Sequence, residues 1–115
     1  MSEDNVMPGD VLRRLSATIK ARRTAPDQQS YTRRLLDQGS RVCARKFGEE
    51  AIELMLAAAG EDDKSVASEA ADVIYHLLVL LESRAVEFDA VLAILDRRTA
   101  QSGLAEKAAR PIKSS

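Results

Sequence analysis

Two helical-looking runs joined by a short polar break constrain this chain more than any other feature. The first, KFGEEAIELMLAAA at 46–59, carries Glu49, Glu50 and Glu53; the second, DKSVASEAADVIYHLLVLLESR at 63–84, carries Glu69 and Asp72. Residues three and four apart share a helix face, so Glu50 with Glu53 and Glu69 with Asp72 form two carboxylate pairs. Folded back as an antiparallel hairpin, the runs bring the pairs to one level, because the pairs lie symmetrically about Glu61 in the break. Four acids then converge. Converging carboxylates repel, and desolvating them is costly unless a cation or hydrogen bonds compensate. An all-oxygen ligand set suits a hard ion such as magnesium, which takes one or two carboxylates, several waters and the phosphate oxygens of a substrate. Metal-dependent phosphate chemistry is the expectation. Acidic stripes are also common as solvated faces paired with Lys or Arg, but no basic residue lies inside either pair.

The rest of the chain reads as support for this hairpin. Aromatic residues make up only 3% of 115, and Ala, Leu, Val and Ile recur at helical rather than alternating spacing, which indicates an all-α class. The length suits one domain, expected over 1–103, with 104–115 as a flexible tail. Pro8-Gly9-Asp10 reads as a helix start capped by Asp10, followed by Val11, Leu12, Leu15 and Ile19 and ending near Arg23. Pro26 breaks the pattern, and Ser30 caps a short helix over 31–38 closed by Gly39. A third helix over 40–59 is expected to bury Cys43, Phe47, Ala51, Leu54, Met55 and Ala58. A fourth over 63–84 is expected to bury Val66, Ala67, Ala70, Val73, Ile74, Leu77, Leu78 and Leu81. Asp89 caps a fifth helix reaching 101, with Val91, Leu92 and Leu95 inward. The architecture expected is a bundle of about five helices with the metal site on a central antiparallel hairpin. Because 77–81 is apolar all round its helix, dimerisation is expected to complete the burial.

Composition excludes several function classes. With 17 basic and 18 acidic residues the net charge is -1, so no overall field draws the chain onto nucleic acid or an anionic membrane. Its apolar runs fall far short of the roughly 20 residues that span a bilayer. The N-terminal stretch MSEDNVMPGD lacks the basic start and apolar core of a secretory signal, and the cytoplasm is the expected location. Cys43 is the sole cysteine, which excludes an intrachain disulfide and a cysteine-rich zinc site. It reads as a small buried hydrophobe.

Around the acids stand the candidates for chemistry. Glu49 lies one turn before Glu53 on the same stripe, where it can orient a water, accept its proton, or sit behind the ligands. Lys46 lies one turn earlier still and, by the same symmetry about Glu61, level with His76; both are candidates to reach phosphate. Arg33, Arg34 and Arg41 are further candidates, since guanidinium groups bind phosphate oxygens in a forked geometry. His76 reads equally well as a core-edge histidine with a satisfied hydrogen bond, and Tyr31 as a packing residue. A carboxylate-bridged di-iron bundle wants Glu-x-x-His on two helices. Val73 stands three before His76 and there is no second histidine, so that reading is rejected.

Glu50-Ala51-Ile52-Glu53 followed by Glu69-Ala70-Ala71-Asp72 is the general mark of a wider group, the all-α nucleoside triphosphate pyrophosphatases that include the MazG-type enzymes. Narrower marks are Ser30-Tyr31-Thr32, Gly48-Glu49-Glu50-Ala51 and ADVIYHLLVLL at 71–81. With these, residues 11–98 resemble the phosphoribosyl-ATP pyrophosphohydrolase family of histidine biosynthesis. The resemblance implies an ATP-binding hydrolase that cleaves phosphoribosyl-ATP to phosphoribosyl-AMP and pyrophosphate. It also implies magnesium held by Glu50, Glu53, Glu69 and Asp72, and a homodimer. Arg45-Lys46-Phe47 departs from the paired lysines and β-branched residue common in that family. The alternatives are a MazG-like pyrophosphatase acting on another nucleoside triphosphate, and a non-enzymatic helical dimerisation module that binds no magnesium specifically.

Overall fold

The computed structural model describes residues 10–26, 30–60 and 62–101, which form five helices and no strand. They are α1 (Asp10–Arg22), α2 (Tyr31–Asp37), α3 (Ser40–Gly60), α4 (Asp63–Ser83) and α5 (Phe88–Gln101). The all-α bundle expected from spacing is present. Pro8, Gly9 and the tail at 104–115 lie outside the described residues.

Local chemistry explains the helix ends. Ser30 is extended and its hydroxyl accepts the Arg33 N–H at 3.3 Å, capping α2 as its residue type predicts. Gly39 adopts φ +94, donates to the Leu36 carbonyl and accepts from the Cys43 N–H. A single residue therefore ends α2 and starts α3, which left-handed backbone makes feasible and glycine makes inexpensive. Asp62 caps α4, accepting the Ser65 N–H at 2.9 Å, and that backbone hydrogen bond holds its carboxyl below the usual range. Asp10 and Asp89, expected as caps, instead lie inside the first turns of α1 and α5, where their charge suits the helix dipole. At the end of α4, Val86 N–H reaches Leu81 C=O and Ala85 N–H reaches Glu82 C=O, each at 2.9 Å. This Schellman turn places Ala85 at φ +58, in the region glycine usually fills.

The α3–α4 hairpin is the most extensive packing in the fold, and α1 and α2 cover one end of it. The core lies at that covered end: Ile19 from α1, Leu35 and Leu36 from α2, Cys43 from α3, and Leu78 and Val79 from α4. Leu15, Tyr75, Leu80, Leu81 and Phe88 pack against it. The Cys43 thiol donates to the Leu35 carbonyl at 3.3 Å, and burial pushes its pKa up, as befits an inert packing cysteine.

Burial departs from the helical-wheel expectation where cover is missing. Met55 and Ala58 on α3 and Ala67 and Ile74 on α4 are exposed, while Ala57, Val79 and His76 are buried. Two facing helices bury only a narrow seam, so an apolar stripe wider than that seam stays in solvent unless a third element covers it. Near the hairpin turn no such cover is present among the described residues, and Ile52, Met55 and Leu56 are 54%, 66% and 60% exposed. Helix α5 buries no residue; Val91 and Leu92 are half-buried, but Leu95, expected inward, is exposed. Surface ion pairs tie α1 to the α4–α5 corner, namely Arg13–Asp89 at 3.5 Å, Lys20–Glu87 at 2.7 Å and Arg23–Glu82 at 2.8 Å. The run 77–81 is buried or half-buried within the chain, and large apolar side chains are exposed on α3 (Ile52, Met55, Leu56), α4 (Ile74) and α5 (Ile94, Leu95). No described helix is long and apolar enough to cross a membrane.

Candidate active site

Helix geometry and the packing of α3 on α4 together place the acids. Glu50 comes from α3, and Glu69 and Asp72 come from adjacent positions three apart on α4. One oxygen of each lies within 4.8 Å of the others. Glu50 and Glu69 are half-buried and Asp72 is exposed, so the group opens to solvent on one side. Glu53 is exposed and stands outside this trio. The i, i+3 spacing that brings Glu69 and Asp72 together does not bring Glu53 in beside Glu50, so shared face alone does not decide which carboxylates converge.

Glu49 points elsewhere. Its two oxygens pair with separate cations, Lys46 Nζ at 3.3 Å and Arg45 Nε at 3.8 Å, on the exposed flank of α3. Lys46 is half-buried and close enough to His76 for its charge to act on the imidazole.

His76 lies one turn beyond Asp72, between the acids and the core. It is 6% exposed, and the rings of Tyr75 and Tyr31 meet it edge-on at 4.9 and 6.2 Å between centroids. Its Nδ1 is buried with no hydrogen-bond partner among the described residues. Burial pushes the imidazole pKa down. The carboxylates of Glu50, Asp72 and Glu49 pull it back up, against Lys46. A neutral ring results at neutral pH. A buried unpaired nitrogen costs about 1–3 kcal/mol, and beside a polar cleft that cost falls when a water or ligand group pairs with it.

The three arginines diverge. Arg33 turns away from the acids: a terminal nitrogen donates to the Ala25 carbonyl, and its Nε stands 3.5 Å from Asp37 Oδ2. That last contact is an ion pair without hydrogen-bond geometry, since Nε is buried and makes no hydrogen bond among the described residues. Arg33 thus fastens the α1–α2 connection. Arg34 is exposed with its guanidinium 6.0 Å over the Tyr31 ring, and Arg41 is exposed near the start of α3. Residue patterning alone gave no role to Thr32 or Tyr75, whose hydroxyls meet at 2.5 Å and join α2 to α4 behind His76. Both lie within the motif segments around Ser30 and His76, which was the available signal.

Three carboxylates, a lysine, a buried neutral histidine and an exposed tyrosine therefore line one region of the α2–α3–α4 surface. Comparison with known proteins gives this arrangement a context. The family model described as Phosphoribosyl-ATP pyrophosphohydrolase matches residues 12–99. A protein of Azorhizobium caulinodans named phosphoribosyl-ATP pyrophosphatase is 53% identical over 110 residues, covering 96% of this chain and 97% of the relative. One of the same name from Rhodobacter capsulatus is 52% identical over 99 residues, covering 86% and 96%. Phosphoribosyl-ATP pyrophosphatase 1 of Bradyrhizobium diazoefficiens is 48% identical over 104 residues, covering 90% and 98%. With near-complete coverage on both sides, the chain belongs to the phosphoribosyl-ATP pyrophosphohydrolase family.

Proposed function

We infer that this chain hydrolyses phosphoribosyl-ATP to phosphoribosyl-AMP and pyrophosphate in histidine biosynthesis. The observation that carries this reading is the convergence of Glu50, Glu69 and Asp72 from two helices, in a chain whose relatives are named for that activity. The donor set fits magnesium: every donor in the trio is a carboxylate oxygen, and all lie close enough to share one ion. Glu50, Glu69 and Asp72 would hold it, with Glu53 as a fourth ligand after a rotamer change of its exposed side chain. When bound, magnesium supplies positive charge against the phosphate oxygens and lowers the pKa of coordinated water.

The chain's own residues do the remaining work. In the overall reaction a water oxygen bonds to phosphorus, the anhydride bond breaks, pyrophosphate leaves and the water gives up a proton. Glu49 is the acceptor for that proton, a role that requires it to release Lys46 and Arg45 when substrate arrives. Lys46, so released, offsets phosphate charge, and the exposed Arg34 and Arg41 extend the positive rim. His76 Nδ1 pairs with a substrate oxygen directly or through water. Arg33 contributes by holding α2 in place, and reaches phosphate only if its contact to Ala25 opens.

A homodimer in the cytoplasm completes the proposal. Its support is the exposed apolar surface at Ile52, Met55 and Leu56 on α3 and at Ile94 and Leu95 on α5. The functional test compares phosphoribosyl-ATP with ATP and with modified nucleoside triphosphates under magnesium, scoring pyrophosphate. Preference for phosphoribosyl-ATP by about two orders of magnitude in kcat/KM is expected, the scale set by a phosphate anchor lost from the poorer substrate. Equal or faster turnover of a free triphosphate would overturn the substrate assignment.

A further inference from the structure

Of the chain's four aromatic residues, two tyrosines and two phenylalanines, only Tyr31 is exposed, at 45%. Phe47, Tyr75 and Phe88 are half-buried, and the last two pack on the core. The exposed ring is held in place. It stacks on Tyr75 with 6.4 Å between centroids and 20° between planes, and it meets His76 edge-on at 6.2 Å. Tyr75 is itself tied to Thr32 by the 2.5 Å hydroxyl contact. One turn along α2, the Arg34 guanidinium sits 6.0 Å over the Tyr31 ring, a cation–π arrangement. The result is an oriented, half-exposed ring with Tyr75 stacked on it and the exposed Arg34 guanidinium over it. The imidazole that it meets is in turn within reach of the charges of Glu50 and Asp72.

We propose that Tyr31 and Arg34 form the base subsite, in which the exposed Arg34 side chain swings off the ring to pair with the phosphate of the second ribose and the purine takes its place against Tyr31. This assignment rests on the phosphoribosyl-ATP reading for the identity of that second phosphate. A nucleotide's base and its triphosphate are separated by one ribose, so the base must land close to the carboxylates, and Tyr31 is the exposed ring found there. Stacking tolerates any purine and does not by itself select phosphoribosyl-ATP over ATP. The feature ATP lacks is a phosphomonoester, which a guanidinium binds in a forked, charge-assisted geometry. Base affinity therefore resides at Tyr31 and discrimination against ATP at Arg34.

The test uses the full chain with Tyr31→Phe, Tyr31→Leu and Arg34→Gln. Calorimetry in magnesium measures binding of α,β-methylene-ATP, which has a base, and of inorganic tripolyphosphate, which has none. Tyr31→Leu is expected to weaken the methylene analogue by about tenfold or more while tripolyphosphate binds as in the parent. Tyr31→Phe, which keeps the ring, should match the parent for both. Equal weakening of both ligands by Tyr31→Leu would show a structural role and overturn the platform, as would no change in either. Arg34→Gln is expected to reduce the kcat/KM ratio of phosphoribosyl-ATP to ATP by about tenfold; an unchanged ratio overturns its assignment. Should the parent chain fail to turn over phosphoribosyl-ATP, the substrate reading and the Arg34 assignment fall together. The Tyr31 platform still stands or falls on the calorimetric pair.

Discussion

Replacing Asp72 by Asn should separate metal binding from fold stability, because the two respond with opposite sign. Asn keeps the shape and removes one of three negative charges whose oxygens lie within 4.8 Å of one another. At that separation, and with the water-like screening appropriate to an exposed side chain, two full charges repel by about 1 kcal/mol. Asp72 faces two such neighbours, Glu50 and Glu69, and salt removes part of each repulsion. Without divalent ions the variant should thus be no less stable than the parent, and more stable by up to about 1 kcal/mol, a gain of about 4–8 °C in Tm for a domain of this size. Magnesium reverses the order. An ion present at about ten times its dissociation constant stabilises the parent by about 1.4 kcal/mol through mass action, and the variant by much less. Thermal melts in chelator and in magnesium chloride, at two ionic strengths, give all four numbers. A variant that melts below the parent in chelator yet keeps the parent's full magnesium gain would refute the arrangement of charges described here.

Other perturbations test the fold around the site. Gly39→Ala meets no atom within 4 Å, so its cost is the left-handed backbone alone: about 1 kcal/mol lost by urea denaturation, after part of the strain is offset by reduced chain entropy. Ala85→Gly relieves the same strain in the opposite sense at φ +58 and should gain up to about 1 kcal/mol; a loss would contradict the Schellman assignment. His76 has a folded pKa below its ordinary 6.5, so the unfolded chain takes up the proton first. Its contribution is present above 6.5 and is lost as pH falls from there toward the lowered folded value. In chelator, His76→Gln should flatten the stability–pH slope in that window, and an unaltered slope would mean the imidazole is not the group responsible.

Much of this molecule was legible from residue types because its devices are local. Ser30 and Gly39 mark helix ends whatever surrounds them, and the spacing of Glu69 and Asp72 fixes a shared face before any tertiary contact forms. The hairpin turn added one long-range fact, the level of Glu50 opposite them. What could not be read depends on azimuth and on which surfaces find cover. Glu53, spaced from Glu50 as Asp72 is from Glu69, still stands outside the trio. Met55 and Leu56 belong to an apolar stripe that nothing described here covers. Val79 and His76 are buried because α1 and α2 close over that end of α4, a packing choice no single helix reveals. Arg33 looked like a phosphate ligand by residue type, and its contact to the Ala25 carbonyl depends on a loop path that helical periodicity does not report.

On the proposed function, Glu50, Glu69 and Asp72 act together through one divalent ion on a polyphosphate. Its most direct test is pyrophosphate release from phosphoribosyl-ATP by the parent and by folded Glu50→Gln across a magnesium titration. The parent should show saturable dependence on magnesium, with the variant slower by about two orders of magnitude or more at any ion concentration. A folded Glu50→Gln with the parent's rate and the parent's magnesium curve would contradict it.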